Sequence, residues 1–199
     1  EMPYVDLTQP WYTKSIQDAS IGRKLYIIES DLSISYTQQT WMILYNKTRS
    51  KDYSDFPDLY KTVRDGTWTI DLLTTLVKDC YLDLNGNSQR DADDFFGIAS
   101  FQDGCQIAAF YYAGEAKLAT LNDDFSLEHN ILSEKAIDVI TKISSLFNGN
   151  DGSVKATDNL IKDFSTARTM FCEGKVLFVP VQIASLLLDE VRNFQDEFG

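Results

Sequence analysis

The chain has 199 residues, of which 44% are hydrophobic and 13% aromatic, and a formal net charge of −12. Such length and composition support one folded domain or one large lobe and argue against a disordered segment. The acidic balance, with no basic run anywhere, excludes nucleic acid and an anionic membrane surface as partners.

No apolar run is long enough to span a bilayer, and no signal-like segment opens the chain. It begins at Glu1-Met2-Pro3-Tyr4 as an excised or processed piece does, so compartment is not read from its start. Cys80, Cys105 and Cys172 lack metal-ligand spacing and sit in apolar contexts, the pattern of small buried hydrophobes rather than of a disulfide. With His129 as the single histidine, zinc chemistry is poorly supplied, and His129 itself reads as a surface residue.

Residues 1–36 form a weakly patterned lead-in, irregular to about Gly22, where Pro3 and Pro10 punctuate it. Within it Lys24 to Glu29 is rich in Tyr, Leu and Ile and predicts a strand, as does the stretch from Thr40 to Tyr45. Residues 37–199 read as a single compact α/β domain. Asp58 to Arg64 predicts a short helix closed by Gly66. Thr69 predicts the cap of a longer one, with Leu73, Leu76, Val77, Cys80 and Tyr81 on one face and Asp71 in its first turn. Phe95 to Ala99 predicts a strand and Gln106 to Tyr112 a short helix stopped by Gly114. Lys117 to Thr120 and the segment near Phe125 predict a hairpin turning at Asn122-Asp123.

Ser133 predicts the cap of the clearest helix, with Ala136, Ile140, Ile143 and Phe147 as its buried stripe and Asn148-Gly149 as its stop. Asn150 to Thr157 reads as a polar loop. Leu160 to Cys172 predicts a helix with Phe164, Ala167 and Phe171 buried. Val176 to Val179 is an uninterrupted apolar strand, expected where both faces are covered. Pro180 is expected to break it, and a helix from Ile183 to Val191 to follow. Helices alternating with few buried strands imply an α/β layer domain in which helices pack on a small mixed sheet.

Between the Thr69 helix and the Phe95 strand lies Asp83-Leu84-Asn85-Gly86-Asn87-Ser88-Gln89-Arg90-Asp91-Ala92-Asp93-Asp94. Asp83, Asn85, Asn87, Gln89, Asp91 and Asp94 carry oxygens at the spacing by which a short loop wraps calcium. That hard-oxygen set suits calcium better than magnesium. Ser88 occupies a place where the turn favours Gly, and Asp at the last place shortens the reach to a bidentate contact. The alternative is a solvated acidic turn joining a helix to a strand.

Four segments in order resemble one family. Trp41-Met42-Ile43-Leu44-Tyr45-Asn46-Lys47 is similar to its apolar strand ending in Tyr-Asn-Lys. Asp65-Gly66-Thr67-Trp68-Thr69-Ile70-Asp71 resembles its Gly-x-Trp-Thr-x-Asp helix entry. The acidic loop running into Phe96-Gly97-Ile98 resembles its Asp-Leu-Asn-Gly-Asp-Gly run before a Tyr-Gly-Ile strand. Phe171-Cys172-Glu173-Gly174-Lys175-Val176-Leu177-Phe178 resembles its Phe-x-x-Gly-Lys-Ala-x-Phe step. The family is the extracellular solute-binding proteins of ABC importers, of the sugar-binding type common in Gram-positive bacteria.

The resemblance implies one lobe, mainly the second, of a type II periplasmic-binding-protein-like fold, with ligand held between two lobes. It implies no catalysis and no required cofactor, with structural calcium as an extra. The implied partners are a sugar or oligosaccharide and the permease subunits of an ABC transporter. The implied setting is a monomeric surface lipoprotein, periplasmic in a Gram-negative cell, whose membrane attachment is a lipid anchor outside this chain.

It also places ligand contacts just after the strands at Phe96 and Val176, at Gln102, Asp103, Gln106, Tyr112 and Gln182. Sheet logic agrees, because open α/β domains bind ligand beyond the carboxyl ends of strands. Each residue has a plainer alternative. Asp103 and Gln182 can cap the next helix. Tyr111 and Tyr112 cannot both face one way. Trp41 and Trp68 suit packing, and Asn46-Lys47-Thr48 is a chance sequon. Two rival readings are a glycoside hydrolase with paired carboxylates and a calcium-binding interaction module. A non-sugar ligand such as a peptide, metal or polyamine is a third.

Overall fold

The structure is a computed structural model that describes residues 4–13, 20–21 and 24–187. Its sheet is organised around β5 (Val176–Gln182), with β1 (Trp41–Tyr45) antiparallel on one side and β2 (Phe96–Ile98) parallel on the other. Val176 to Val179 are almost fully buried, as an apolar run covered on both faces requires.

Alternation along β1 and β5 sorts side chains into two cores. Ile43, Tyr45 and Phe178 pack towards α4 (Ile70–Val77), α5 (Gly104–Ala113) and α6 (Glu134–Asn148). Met42, Leu44, Val179 and Val181 pack on the opposite side with α7 (Phe164–Cys172). The protein is therefore an α/β layer structure with a small mixed sheet. A hairpin, β3 (Ala119–Leu121) and β4 (Leu127–His129), stands apart from it and carries the exposed His129.

Caps place the helices. Asp58 accepts from Lys61 N–H ahead of α3 (Leu59–Arg64), and Thr69, Asp103, Ser133 and Asp163 cap α4, α5, α6 and α7 in the same way. Each such bond is worth about 1 kcal/mol. Asn46 caps α2 (Lys47–Ser50) by accepting from Thr48 and Arg49 N–H, and is itself buried, so the apparent sequon is an internal cap.

Two glycines let α4 lie against the sheet. A Cβ on Gly152 would sit 1.6 Å from the Val77 carbonyl oxygen, and one on Gly97 would sit 2.7 Å from Val77 Cβ. Gly152 C=O accepts from Gly97 and Ile98 N–H, and Val154 N–H donates to Ile98 C=O. Residues 152–154 thus extend the sheet beyond β2 and are buried, where the sequence predicts only a polar loop.

Other departures have local causes. Lys24 to Glu29 forms no strand: Lys24 makes one isolated bridge to Ile21, and the segment joins neither sheet among the described residues. Helix α4 ends at Val77, since Asp79 takes a left-handed φ of 63°, although Cys80 stays buried. In α6 Val139 and Leu146 complete the buried stripe, while Ile140 is 47% exposed. Helix α7 starts at Phe164, where Asp163 supplies the cap, and not at Leu160. Cys105 is exposed: with Gly104 it takes the outer side of the first turn of α5, while Gln106 takes the buried side.

Pro180 does not end β5. Asn46 N–H donates to Leu177 C=O and Ile183 N–H to Thr40 C=O, so the Ile43–Pro180 pair between them is a non-hydrogen-bonded one. The missing N–H of Pro180 therefore costs no ladder bond to β1, and β2 no longer faces it. After Gln182 the chain forms a 3-10 turn over Ile183–Leu187; residues 188–191 of the expected helix lie outside the described residues.

Replacing Gly152 by Ala is expected to cost about 3 kcal/mol through the clash with Val77. Gly104→Ala, which meets open space, is expected to be nearly neutral. Chemical denaturation of the two variants checks the contrast.

Candidate functional site

At the carboxyl end of β2 the chain turns through Ser100, Phe101 and Gln102, with Gln102 in a left-handed conformation at φ 55°. Gln106, one turn into α5 and almost fully buried, holds that turn. Its Oε1 accepts from Ser100 Oγ (2.6 Å) and Gln102 N–H (3.1 Å), and its Nε2 donates to the Pro180 carbonyl (2.8 Å). The Gln102 side chain donates to Val154 C=O at 2.8 Å. Asp103 is the α5 cap, accepting from Gln106 N–H at 2.8 Å. Gln102, Asp103 and Gln106 are thus brought together, and in this arrangement they bond one another and the neighbouring strands.

Gln182 lies beside them at the end of β5, opposite Trp41 in the register, with its Nε2 donating to Gln39 Oε1 at 2.6 Å. A hollow of about 100 Å³ opens at this rim, lined by Trp41, Gln106, Phe164, Arg168, Pro180 and Gln182. The Phe164 ring packs 6.1 Å from Trp41 and 5.2 Å from Phe101, so three aromatic rings border the polar groups. Phe164 is 37% exposed, and Trp41 is half-buried. The sequence reading misses Phe164, Phe101 and Arg168 here, because a helix stripe and a strand end reveal no rim until the sheet order is known. Tyr112 lies on the outer side of α5, 54% exposed, and does not join this set; Tyr111 is buried.

A larger cleft of about 420 Å³ lies on the α5 side of the sheet, with Tyr45, Tyr60, Trp68, Phe110 and Phe178 among its walls. It is almost wholly apolar and offers orienting polar groups only at its margins.

The acidic loop is closed by its own hydrogen bonds. Asp83 accepts from Gly86 N–H (2.7 Å) and Ser88 N–H (2.8 Å), and Ser88 does take the left-handed φ, 59°. Asp94 is fully buried and accepts from Tyr81 Oη (2.9 Å), Asp91 N–H (3.0 Å) and Leu84 N–H (3.3 Å). Burial, and then the bond to Asp94, pushes the Tyr81 hydroxyl up to about 12, so it remains the donor at neutral pH. Arg90 stacks over the rings of Tyr81 (4.6 Å) and Phe96 (5.0 Å) and donates to Asp151 C=O, Ser153 C=O and the Asp158 carboxylate.

The amides of Asn85 and Asn87 direct N–H groups at the Asp91 carboxylate, and Gln89 contributes its carbonyl to Tyr81. A calcium ion would require those amides to present oxygen instead. Among the described residues no set of three His, Cys, Asp or Glu side chains gathers as a metal site. The oxygens of those two amides meanwhile accept from backbone, Asn85 Oδ1 from Asn87 N–H and Asn87 Oδ1 from Gln89 N–H, bonds that an ion would have to replace.

Comparison of the chain with protein-family models, with curated proteins and with solved structures gives no match in any of the three.

Gln106→Leu would strand the Ser100 hydroxyl proton and the Pro180 carbonyl and leave Gln102 N–H only its 3.2 Å bond to Ser100 Oγ, and is expected to cost about 3 kcal/mol in denaturant unfolding. Millimolar calcium is expected to leave the melting temperature unchanged relative to chelator. A rise that disappears in Asp83→Asn would show that the loop rearranges around the ion.

Proposed function

We propose that residues 37–199 are a ligand-binding lobe of an extracellular solute-binding protein, of the type II periplasmic-binding kind, serving an ABC importer for a sugar or oligosaccharide. The observation that carries this reading is the rim at the carboxyl ends of β2 and β5. Trp41, Phe164 and Phe101 set aromatic faces beside the amide of Gln182 and the guanidinium of Arg168. Aromatic faces cover the apolar side of a pyranose, and planar polar groups bond its hydroxyls. The four sequence segments that resemble the family all lie within this lobe.

The hollow supports a two-lobed binder. Complete small-molecule pockets span roughly 300–1,000 Å³, whereas this one holds about 100 Å³. One wall is present, and the other belongs to a facing lobe that closes over the ligand by a hinge. Binding energy then comes from both lobes, and one lobe alone binds weakly. The reading is non-enzymatic. A glycoside hydrolase needs two free carboxylates across its cleft, and Asp103 at this rim is engaged as a helix cap. The chain's partners on this reading are the sugar and the permease subunits, with a lipid anchor as the attachment to the cell surface.

A thermal-shift panel of sugars and oligosaccharides on the two-lobed polypeptide is expected to find a stabilising ligand. Trp41→Ala should weaken its binding about tenfold through lost stacking, while residues 1–199 alone show no tight binding in calorimetry. Release of reducing sugar from a polysaccharide would overturn the reading in favour of the hydrolase.

A further inference from the structure

The cleft on the α5 side of the sheet has the size of a ligand site, and the rim does not account for it. Its volume of about 420 Å³ lies within the range of complete small-molecule pockets. It is lined by Ile43 and Phe178 from the sheet, Tyr60 and Val63 from α3, and Ala109 and Phe110 from α5. Among the described residues no charged side chain lines it. Tyr60 and Val63 are 57% and 58% exposed, so apolar surface there is left in contact with water.

Charge enters beside Tyr60. Lys47 Nζ stands 5.3 Å from the centre of its ring, and Arg64 lies one helical turn from it on the same face of α3. The neighbouring cations are paired, Arg49 with Asp52 and Lys61 with Asp65. Lys47 and Arg64 enter no ion pair among the described residues. The carboxylate of Asp58, at the start of α3, is held by Lys61 N–H as the helix cap. Tyr45 meets Tyr60 edge-on at 6.2 Å. Burial, and then Tyr60 beside it, raises the Tyr45 hydroxyl, which keeps its proton and stays a donor.

We propose that this cleft binds a small amphiphilic monocarboxylate, its apolar body along β1 and its carboxylate between Lys47 and Arg64. The uncharged lining selects the body, because only apolar surface gains by entering it. From Trp41 to Tyr45 the cleft follows four residues of strand, about 14 Å, a length that suits an extended chain. Charge complementarity selects the head group. In a chain of net charge −12, two unpaired cations beside an apolar hollow reverse the local sign. A cationic ligand is disfavoured, since Lys47 already occupies the aromatic face that would attract it. An anion with no apolar body gains little, because exposed ion pairs are weak in water. The cleft meets the rim at Trp41 and Pro180, which border both hollows, yet its ligand does not depend on a sugar being bound there.

Calorimetry of the 1–199 chain with octanoate, hexanoate and octanol tests it. Octanoate is expected to bind at one site per chain. Hexanoate should bind more weakly, by about fourfold for each of the two CH2 groups lost. Lys47→Gln, a change at an exposed side chain, should weaken octanoate about threefold and leave octanol unchanged. Ala109→Phe, which places a ring in the hollow, should abolish the binding of both. The proposal is overturned by no heat with octanoate, by octanol bound as tightly as octanoate, or by octanoate affinity unchanged in Lys47→Gln. Octanoate binding that survives in a folded Ala109→Phe variant also overturns it. So does a dimer in sedimentation that Ala109→Phe disperses, because a second copy then fills the cleft.

Discussion

Strand β5 is paired with β1 as far as Gln182 but with β2 only as far as Phe178, and beyond the end of β2 a side chain takes over. The carbonyl of Pro180 turns to the side where β2 has ended, and the amide of Gln106 meets it there. The same amide holds the Ser100–Gln102 turn. One buried glutamine thus ties the central strand, the end of the parallel strand and the first turn of α5 into a single body. A neutral amide suits the task, since it offers a donor and an acceptor and carries no charge that burial would penalise.

That arrangement divides the rim into scaffold and surface. Gln102, Asp103 and Gln106 spend their polar atoms on the backbone around them, and they fix where the strand ends lie. Trp41, Phe164 and Gln182 stand on that fixed edge with faces or polar atoms nearer to solvent. A polar residue at a strand end can therefore matter to a ligand without touching it, by setting the position of its neighbours to the fraction of an ångström that recognition needs.

Features that depend on a few neighbouring residues were legible in the sequence. The caps at Thr69 and Ser133 and the hairpin near Asn122 follow from side chains that bond backbone two or three residues away. What could not be read depends on partners far along the chain. Whether Pro180 breaks a strand is decided by which neighbour faces its nitrogen, and whether Lys24–Glu29 becomes a strand is decided by pairing that its own composition does not specify. Residues 152–154 look polar and loop-like, yet the bare backbone of Gly152 lets them complete the sheet against Val77. The strand ends carrying Gln102 and Gln182 do border one rim, while Phe101, Phe164 and Arg168 stayed hidden because each is brought there by packing.

The placement of β5 also sets the order in which the molecule can become itself. The strand pairs with β1 across more than a hundred residues of sequence. During synthesis α4, α5 and α6 emerge and can assemble locally while β1 and β2 have no strand between them. Contacts of such long sequence separation are slow to close. The nascent chain therefore carries open apolar strand edges until residues 176–182 are made, the interval in which a chaperone would have the most to hold.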